Sequence, residues 1–251
     1  MGKQDFLGFN AEEVNKYEKE YYDFQQSKPG FDLTFYGNWQ RDFGKLIIEL
    51  ADLKSNPGKE WVSVLDVGCG TALNLRAIDE LGIFSHLIGV DRSEYIINKI
   101  IPTLHDSEKY FLKWESSFEF HATPSHDLSM IGDNDIDLLV CTQTLEHIVS
   151  EEKLHETLDE FDRVLHKDGK IIIIIPVIKK EEGNDDDDHN NLHKLMHTST
   201  WWSKIFLKYF KSESFKARQR FKESELKPDR SGEKTFYEEY ETWTIFRLIK
   251  K

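Results

Sequence analysis

Residues Val64 to Asn74 read Val-Leu-Asp-Val-Gly-Cys-Gly-Thr-Ala-Leu-Asn, and a second apolar run, Leu87-Ile88-Gly89-Val90, ends on Asp91. The pair describes a buried strand, a glycine turn into a helix, a second strand, and an acid at that strand's C-terminal end. Gly68 and Gly70 have no Cβ, so the backbone can turn sharply and a ligand can press against it. The helix from about Thr71 points its N-terminal amides into the same space. Asp91, followed by Arg92, is placed to accept hydrogen bonds from the two hydroxyls of a ribose. These residues describe a site for a nucleoside.

Outward from this pair the chain alternates strand and helix. Strands are predicted at Ser63 to Asp66, His86 to Val90, Tyr110 to Trp114, Ile136 to Thr142 and Lys170 to Val177. Helices fall between them at about Ala72 to Leu81, Glu94 to Ile101 and Glu151 to Leu165. The run Ile171 to Ile175 is uniformly β-branched, as a strand buried on both faces of a parallel sheet requires. Thr200 is predicted to cap a helix beginning Trp201-Trp202. Two alternating segments follow, Ser214 to Lys222 and Glu241 to Leu248, with no crossover helix between them, so they are read as an antiparallel pair. Ahead of the first strand, Asn10-Ala11-Glu12-Glu13 resembles a capping box. Helices are expected from there to about Gln25 and from Asn38 to about Lys54, the second carrying Phe43, Leu46, Ile47 and Leu50 at helical spacing. The expected fold is α/β: a Rossmann-like doubly wound sheet of about seven strands, the last antiparallel, with extra N-terminal helices. Residues 1–58 read as a helical lid or substrate cap, and 59–251 as the main domain with an active-site loop at 178–200.

Composition narrows the partners. The chain has 251 residues, 39% hydrophobic content and a net charge of −13, with a sequence pI near 5.3. That balance disfavours nucleic acid, which normally needs a basic face. Cys69 and Cys141 sit at predicted strand ends near the site and read as reduced, half-buried residues rather than a disulfide. No segment approaches a membrane span and Met1 to Asn10 has no signal-peptide core, so a cytoplasmic location is expected. A homodimer is left open.

A nicotinamide dinucleotide fold wants a third glycine where Leu73 stands. The chain instead resembles the class I S-adenosylmethionine-dependent methyltransferases over roughly Trp39 to Lys250. Val64-Leu65-Asp66-Val67-Gly68-Cys69-Gly70-Thr71 matches the family's glycine motif, Asp91 its ribose acid, and Cys141-Thr142-Gln143-Thr144-Leu145-Glu146-His147 the segment after strand 4. The resemblance implies S-adenosylmethionine as cofactor. It implies that Asp66, Gly68, Cys69, Gly70, Asp91, Arg92, Thr142 and Gln143 contact it, with Glu115 facing the adenine amine and Trp114 covering the ring. It also implies that Tyr36, Trp39 and Gln40, from the helices before strand 1, close over the cofactor.

The implied reaction is in-line displacement at a sulfonium methyl, in which the protein aligns the nucleophile and removes its proton. His147, one turn after strand 4, is a candidate general base, since its ordinary pKa lies near working pH. His193 and His197, after strand 5, are candidates for the substrate wall. Some relatives bind a divalent ion through Glu-x-x-Glu-His after strand 4. Here the first position is the neutral Gln143, and no metal is assigned.

The acceptor is narrowed by what is missing. Strand 4 does not end in the Asn/Asp-Pro-Pro-aromatic motif of amide and adenine-amine methyltransferases. No Pro-Cys nucleophile and no paired-glutamate loop of the arginine-methylating kind is visible. The expectation is therefore methyl transfer to an oxygen on a small molecule: a sugar, a nucleotide-linked sugar or another biosynthetic intermediate. The alternatives are a macromolecule methyltransferase acting on protein or RNA, metal-assisted or not, and a non-catalytic cofactor-binding module.

Overall fold

The computed structural model describes residues 38–53, 58, 60–102, 116–177, 194–212 and 243–251. In chain order the elements are α1 (Asn38–Ala51), β1 (Ser63–Val67), α2 (Leu73–Asp79), β2 (His86–Asp91), a π-helical segment (Ile96–Ile100), β3 (Ser117–Ala122) and β4 (Ile136–Thr142). There follow a 3-10 turn (Leu145–His147), α3 (Glu151–Val164), β5 (Leu165–Pro176), α4 (Ser199–Tyr209), β6 (Phe210–Ser212) and β7 (Trp243–Lys250).

The seven strands form one sheet in the order β3-β2-β1-β4-β5-β7-β6. The first five are parallel. β7 runs antiparallel to both of its neighbours, β5 and β6. The order reverses between β1 and β4, the topological switch point where open α/β sheets bind ligands beyond the carboxyl ends of their strands. Register brings those ends together, because Val67 pairs with Val90 on one side and Cys141 on the other.

Alternation along the strands divides the interior into two cores. Leu65, Val67, Ile88, Val90, Leu139, Ile171, Ile173 and Ile175 face α3 and α4, where Leu154, Leu158, Phe161, Trp202 and Phe206 receive them. Val64, Leu87, Leu138, Val140, Ile172 and Ile174 face α1, α2 and the π-helical segment, through Phe43, Ile47, Leu50, Leu75, Ile78, Ile96 and Ile97. The five isoleucines of β5 thus split between both faces, which is why that strand reads as an unbroken apolar run. Each of them is worth about 1.5–3 kcal/mol of burial.

The third strand was expected at Tyr110 to Trp114, and the described strand is Ser117–Ala122. It is an edge strand, and its polar residues alternate with Phe118 and Phe120; Tyr110 to Trp114 lies outside the described residues. A Cβ on Gly89 would stand 2.7 Å from the Phe120 ring, so the glycine in β2 is there for this edge. The cap expected at Thr200 is Thr198, whose Oγ1 accepts from the Trp201 amide at 3.2 Å. β7 pairs antiparallel with a strand directly off α4, at Phe210–Ser212, and the expected Ser214 to Lys222 lies outside the described residues. The N-terminal capping box, the helix to Gln25 and most of the 1–58 lid region lie outside the described residues. Within that region α1 is built into the second core, with Ile47 fully buried.

Candidate active site

The turn after β1 is pulled sideways toward β2. The amides of Gly68 and Cys69 both donate to Val90 O, at 2.8 and 3.0 Å. Gly68 has φ +75° and Gly70 φ +51°, both in the left-handed region that glycine enters without strain. Their free faces differ. A Cβ on Gly68 would collide with the Thr144 side chain, whereas a Cβ on Gly70 would meet nothing within 4 Å among the described residues. The first glycine lets the turn pack on the segment after β4. The second leaves an open backbone face at the switch point.

Asp91 joins this turn to the next. Its Oδ2 accepts from the Gly70 amide at 3.0 Å and its Oδ1 from the Ser93 amide at 2.9 Å. Asp91 thus holds the turns on both sides of it and remains able to bind a ligand. Each oxygen is used once, and a carboxylate has about four lone-pair sites, so acceptor capacity is left for hydroxyl groups. Burial raises its pKa, against the lowering effect of the Ser93 and Gly70 amides and of Arg92.

Below the turn lies Asp66, fully buried. Neither of its carboxyl oxygens has a hydrogen-bond partner among the described residues. Burial pushes its pKa up to about 7, with the Asn74 amide opposing and Asp91 adding to the rise. Asn74 Nδ2 is turned to Thr142 Oγ1 at 3.1 Å. Burial and the neighbouring carboxyls also push the Cys69 and Cys141 thiols well up, so neither is a nucleophile at neutral pH.

The segment after β4 is tightly folded. Gln143 is exposed with φ +53°, and its amide donates to Ile174 O at 2.8 Å. Thr144 Oγ1 donates toward Val67 O and Thr142 O at 3.2 and 3.0 Å. Thr144 O accepts from the His147 amide at 3.1 Å, so one threonine touches Gly68 and positions the backbone of His147. Glu146 points inward, with 1% of its surface exposed, and burial pushes its pKa up to about 8. His147 points outward with its side chain 36% exposed.

The structure thus brings together Asp66, Gly68, Cys69, Gly70, Asp91, Thr142, Gln143 and His147 at the ends of β1, β2 and β4. Arg92 is exposed beside Asp91. His197 precedes α4 and stacks on Trp201, with ring centroids 3.7 Å apart and planes 13° apart. Its segment reaches the β4 turn through Lys194 and Leu195, whose amides donate to Glu146 O at 2.7 and 3.0 Å. Tyr36, His193, Trp114 and Glu115 lie outside the described residues, as do the side chains of Trp39 and Gln40. With β3 at Ser117–Ala122, Glu115 precedes the third strand rather than following it. The residue beside Asp91 on β3 is Ala122. Asn74 and Thr144 were not expected in the site. Their contacts cross between strands, and no local pattern announces such contacts.

An open backbone face, an acid with spare acceptor capacity and the buried carboxyl of Asp66, without a hydrogen-bond partner among the described residues, suit a ligand carrying hydroxyls and a positive charge. Residues 65–173 match the methyltransferase domain family. Among solved structures the chain is similar to the PH0226 protein of Pyrococcus horikoshii OT3, at 17% identity and TM-score 0.61, over 91% of this chain and 99% of that one. It is also similar to the putative methyltransferase solved with the Haloferax volcanii Trm112 methyltransferase activator, at 16% identity and TM-score 0.57, over 100% of this chain and 99% of that one. A geranyl diphosphate methyltransferase in complex with S-adenosylmethionine shares 11% identity at TM-score 0.60, over 84% and 85% of the two chains. At these identities the similarity is one of fold. No curated protein gives a significant match.

Proposed function

We propose that the chain is a class I S-adenosylmethionine-dependent methyltransferase that methylates an oxygen on a small-molecule acceptor, with His147 as the base. The observation that carries this reading is the position of His147. It is a half-exposed imidazole on the turn after β4, linked through Thr144 to the glycine turn. Asp91 beside the open Gly70 backbone, with the chain's net charge of −13, favours a cationic cofactor and disfavours a polyanionic acceptor.

S-adenosylmethionine supplies a methyl group activated on a sulfonium. The backbone at Gly70 gives it room, and Asp91 accepts from its ribose hydroxyls. Asp66 lies buried beneath the turn, and Thr142 and Gln143 line the end of β4. His147 takes the acceptor's proton as the methyl is transferred, while His197 and Trp201 form part of the acceptor wall. Tyr36, Trp39, Gln40 and His193 complete the proposed enclosure, while Trp114 and Glu115, which precede β3, are not assigned to it.

The test is transfer of radiolabelled methyl from S-adenosylmethionine into a fractionated cell extract, with and without EDTA. Label in the low-mass fraction, insensitive to EDTA and lowered at least tenfold by His147→Ala, is the expected result. Label confined to protein or RNA overturns the acceptor class. Cofactor binding without any transfer favours a binding module.

A further inference from the structure

β3 ends the sheet, and its outer side carries no strand among the described residues. The opposite edge is β6, only Phe210–Ser212, whereas β3 offers Ser117–Ala122. The backbone direction of β3 is fixed at both ends. The Ser117 amide donates to Ser85 O and the Thr123 amide to Asp91 O, both at 2.9 Å, so every second residue turns its N–H and C=O toward β2. Phe118, Phe120 and Ala122 therefore turn theirs outward. Their side chains share one face, where the two phenylalanine rings stack with centroids 6.1 Å apart against the second core. Glu119 and His121 share the other face, with Glu119 Oε2 3.4 Å from His121 Nε2 and Glu119 Oε1 3.6 Å from His86 Nε2.

We infer that β3 is an interface between two copies of this chain, pairing antiparallel with β3 of the second copy about a twofold axis at Phe120. A twofold contact joins the same patch on both copies, which for two strand edges requires an antiparallel pair. In this register Phe120 faces the partner's Phe120, and Phe118 faces the partner's Ala122. All of these residues turn N–H and C=O outward, so each pair exchanges both backbone bonds. Glu119 then stands opposite the partner's His121, an imidazole with an N–H to donate in either protonation state. Neighbouring registers are worse. A twofold axis at Glu119 sets two carboxylates against each other. One at His121 brings Pro124, which has no amide proton, opposite Phe118. Glu119 thus guards the edge against indiscriminate pairing, and the same charge selects one register. The complement to each feature of the edge lies on the edge itself, which commits the partner to a second copy. Nothing in this pairing depends on the methyl acceptor.

The experiment is sedimentation velocity of the full-length chain from micromolar to sub-millimolar concentration, for wild type, Ala122→Pro, His121→Glu and the double variant Glu119→His/His121→Glu. Proline at 122 removes an outward amide without touching a bond to β2. His121→Glu puts carboxylates opposite carboxylates, and the double variant restores the opposed partners with their places exchanged. The expected result is a concentration-dependent dimer in wild type, weakened at least tenfold by each single change and recovered to within about threefold in the double variant. Thermal midpoints of the variants are expected within a few degrees of wild type. A wild type that stays monomeric throughout overturns the inference, whether or not another protein takes the edge. A dimer that survives either single change, or a double variant that dimerises no better than His121→Glu, overturns it as well. If Ala122→Pro does not fold, His121→Glu and the double variant decide alone.

Discussion

The backbone amide of Gly70 donates to Asp91 Oδ2 at 3.0 Å, so the turn after β1 and the acid after β2 form one unit. Neither can move without the other. Asp91→Ala is expected to weaken S-adenosylmethionine binding by about 1.5–3 kcal/mol, the scale of hydrogen bonds to a charged group. It should also lower the thermal midpoint of the ligand-free protein, because the amides of Gly70 and Ser93 lose their acceptor. Titration calorimetry showing unchanged affinity would remove Asp91 from the site.

The two glycines of the turn should fail in different ways. Gly68→Ala adds a collision with Thr144 to the cost of a left-handed backbone. It is expected to lose more than about 2 kcal/mol of stability in denaturant unfolding. Gly70→Ala carries only the backbone strain, about 1–2 kcal/mol. Its larger effect should be on cofactor affinity, because the new methyl occupies the open face. The reverse ranking would mean that the cofactor does not approach at Gly70.

Asp66 and Glu146 should make stability depend on pH in an unusual direction. Their folded pKa values, near 7 and near 8, lie above the ordinary values of 3.8 and 4.5. The folded state therefore holds protons that the unfolded chain releases. Stability from this source is complete below about pH 4 and is lost as pH rises through 7 and 8, at up to about 1.4 kcal/mol per unit for each group. Asp127 and Glu160, held low by Ser129 and Arg163, act oppositely and protect only above the ordinary carboxyl range. The thermal midpoint of the ligand-free protein is expected to peak near pH 5 and fall toward pH 8. Asp66→Asn should flatten the part between 5 and 7. A midpoint that rises from pH 5 to 8 would contradict both assignments.

Arg163 is expected to act as a staple on the loop between β3 and β4. It donates to Ile131 O and Leu128 O, each at 2.8 Å, and pairs with Glu160 and Asp133. Glu160 in turn accepts from the Leu128 amide. Arg163→Met should leave the global fold intact and speed hydrogen exchange at Leu128 and Ile131 at least tenfold, since both belong to one local opening unit. Unchanged exchange at those amides would show that Leu128 and Ile131 are held by burial alone.

Much of this was legible because the signals are local. The glycine turn, Asp91 and the β4 segment each lie within a few residues, and the sheet's alternation of strand and helix follows from periodicity. The edge strand β3 was missed because its polar residues break the apolar pattern around Phe118 and Phe120. The clamp of Lys194 and Leu195 on Glu146, and the contact of Thr144 with Gly68, join residues far apart in the chain. No composition or spacing marks them. The inward turn of Glu146 was likewise invisible, because a Leu-Glu-His string does not say which of its two polar residues faces the core.

The isoleucine run of β5 has a consequence for how the chain reaches this state. Its edge is sealed by β7, from Lys170 against Ile249 through Pro176 against Trp243. While the chain is being made, residues 171–175 emerge well before residues 243–250 can cover them. During that interval five β-branched residues without charge or proline present an unpaired strand edge, the kind of segment on which self-association begins. The late strand is thus a guard on the newborn chain, and dependence on chaperones during synthesis should track how fast β7 arrives.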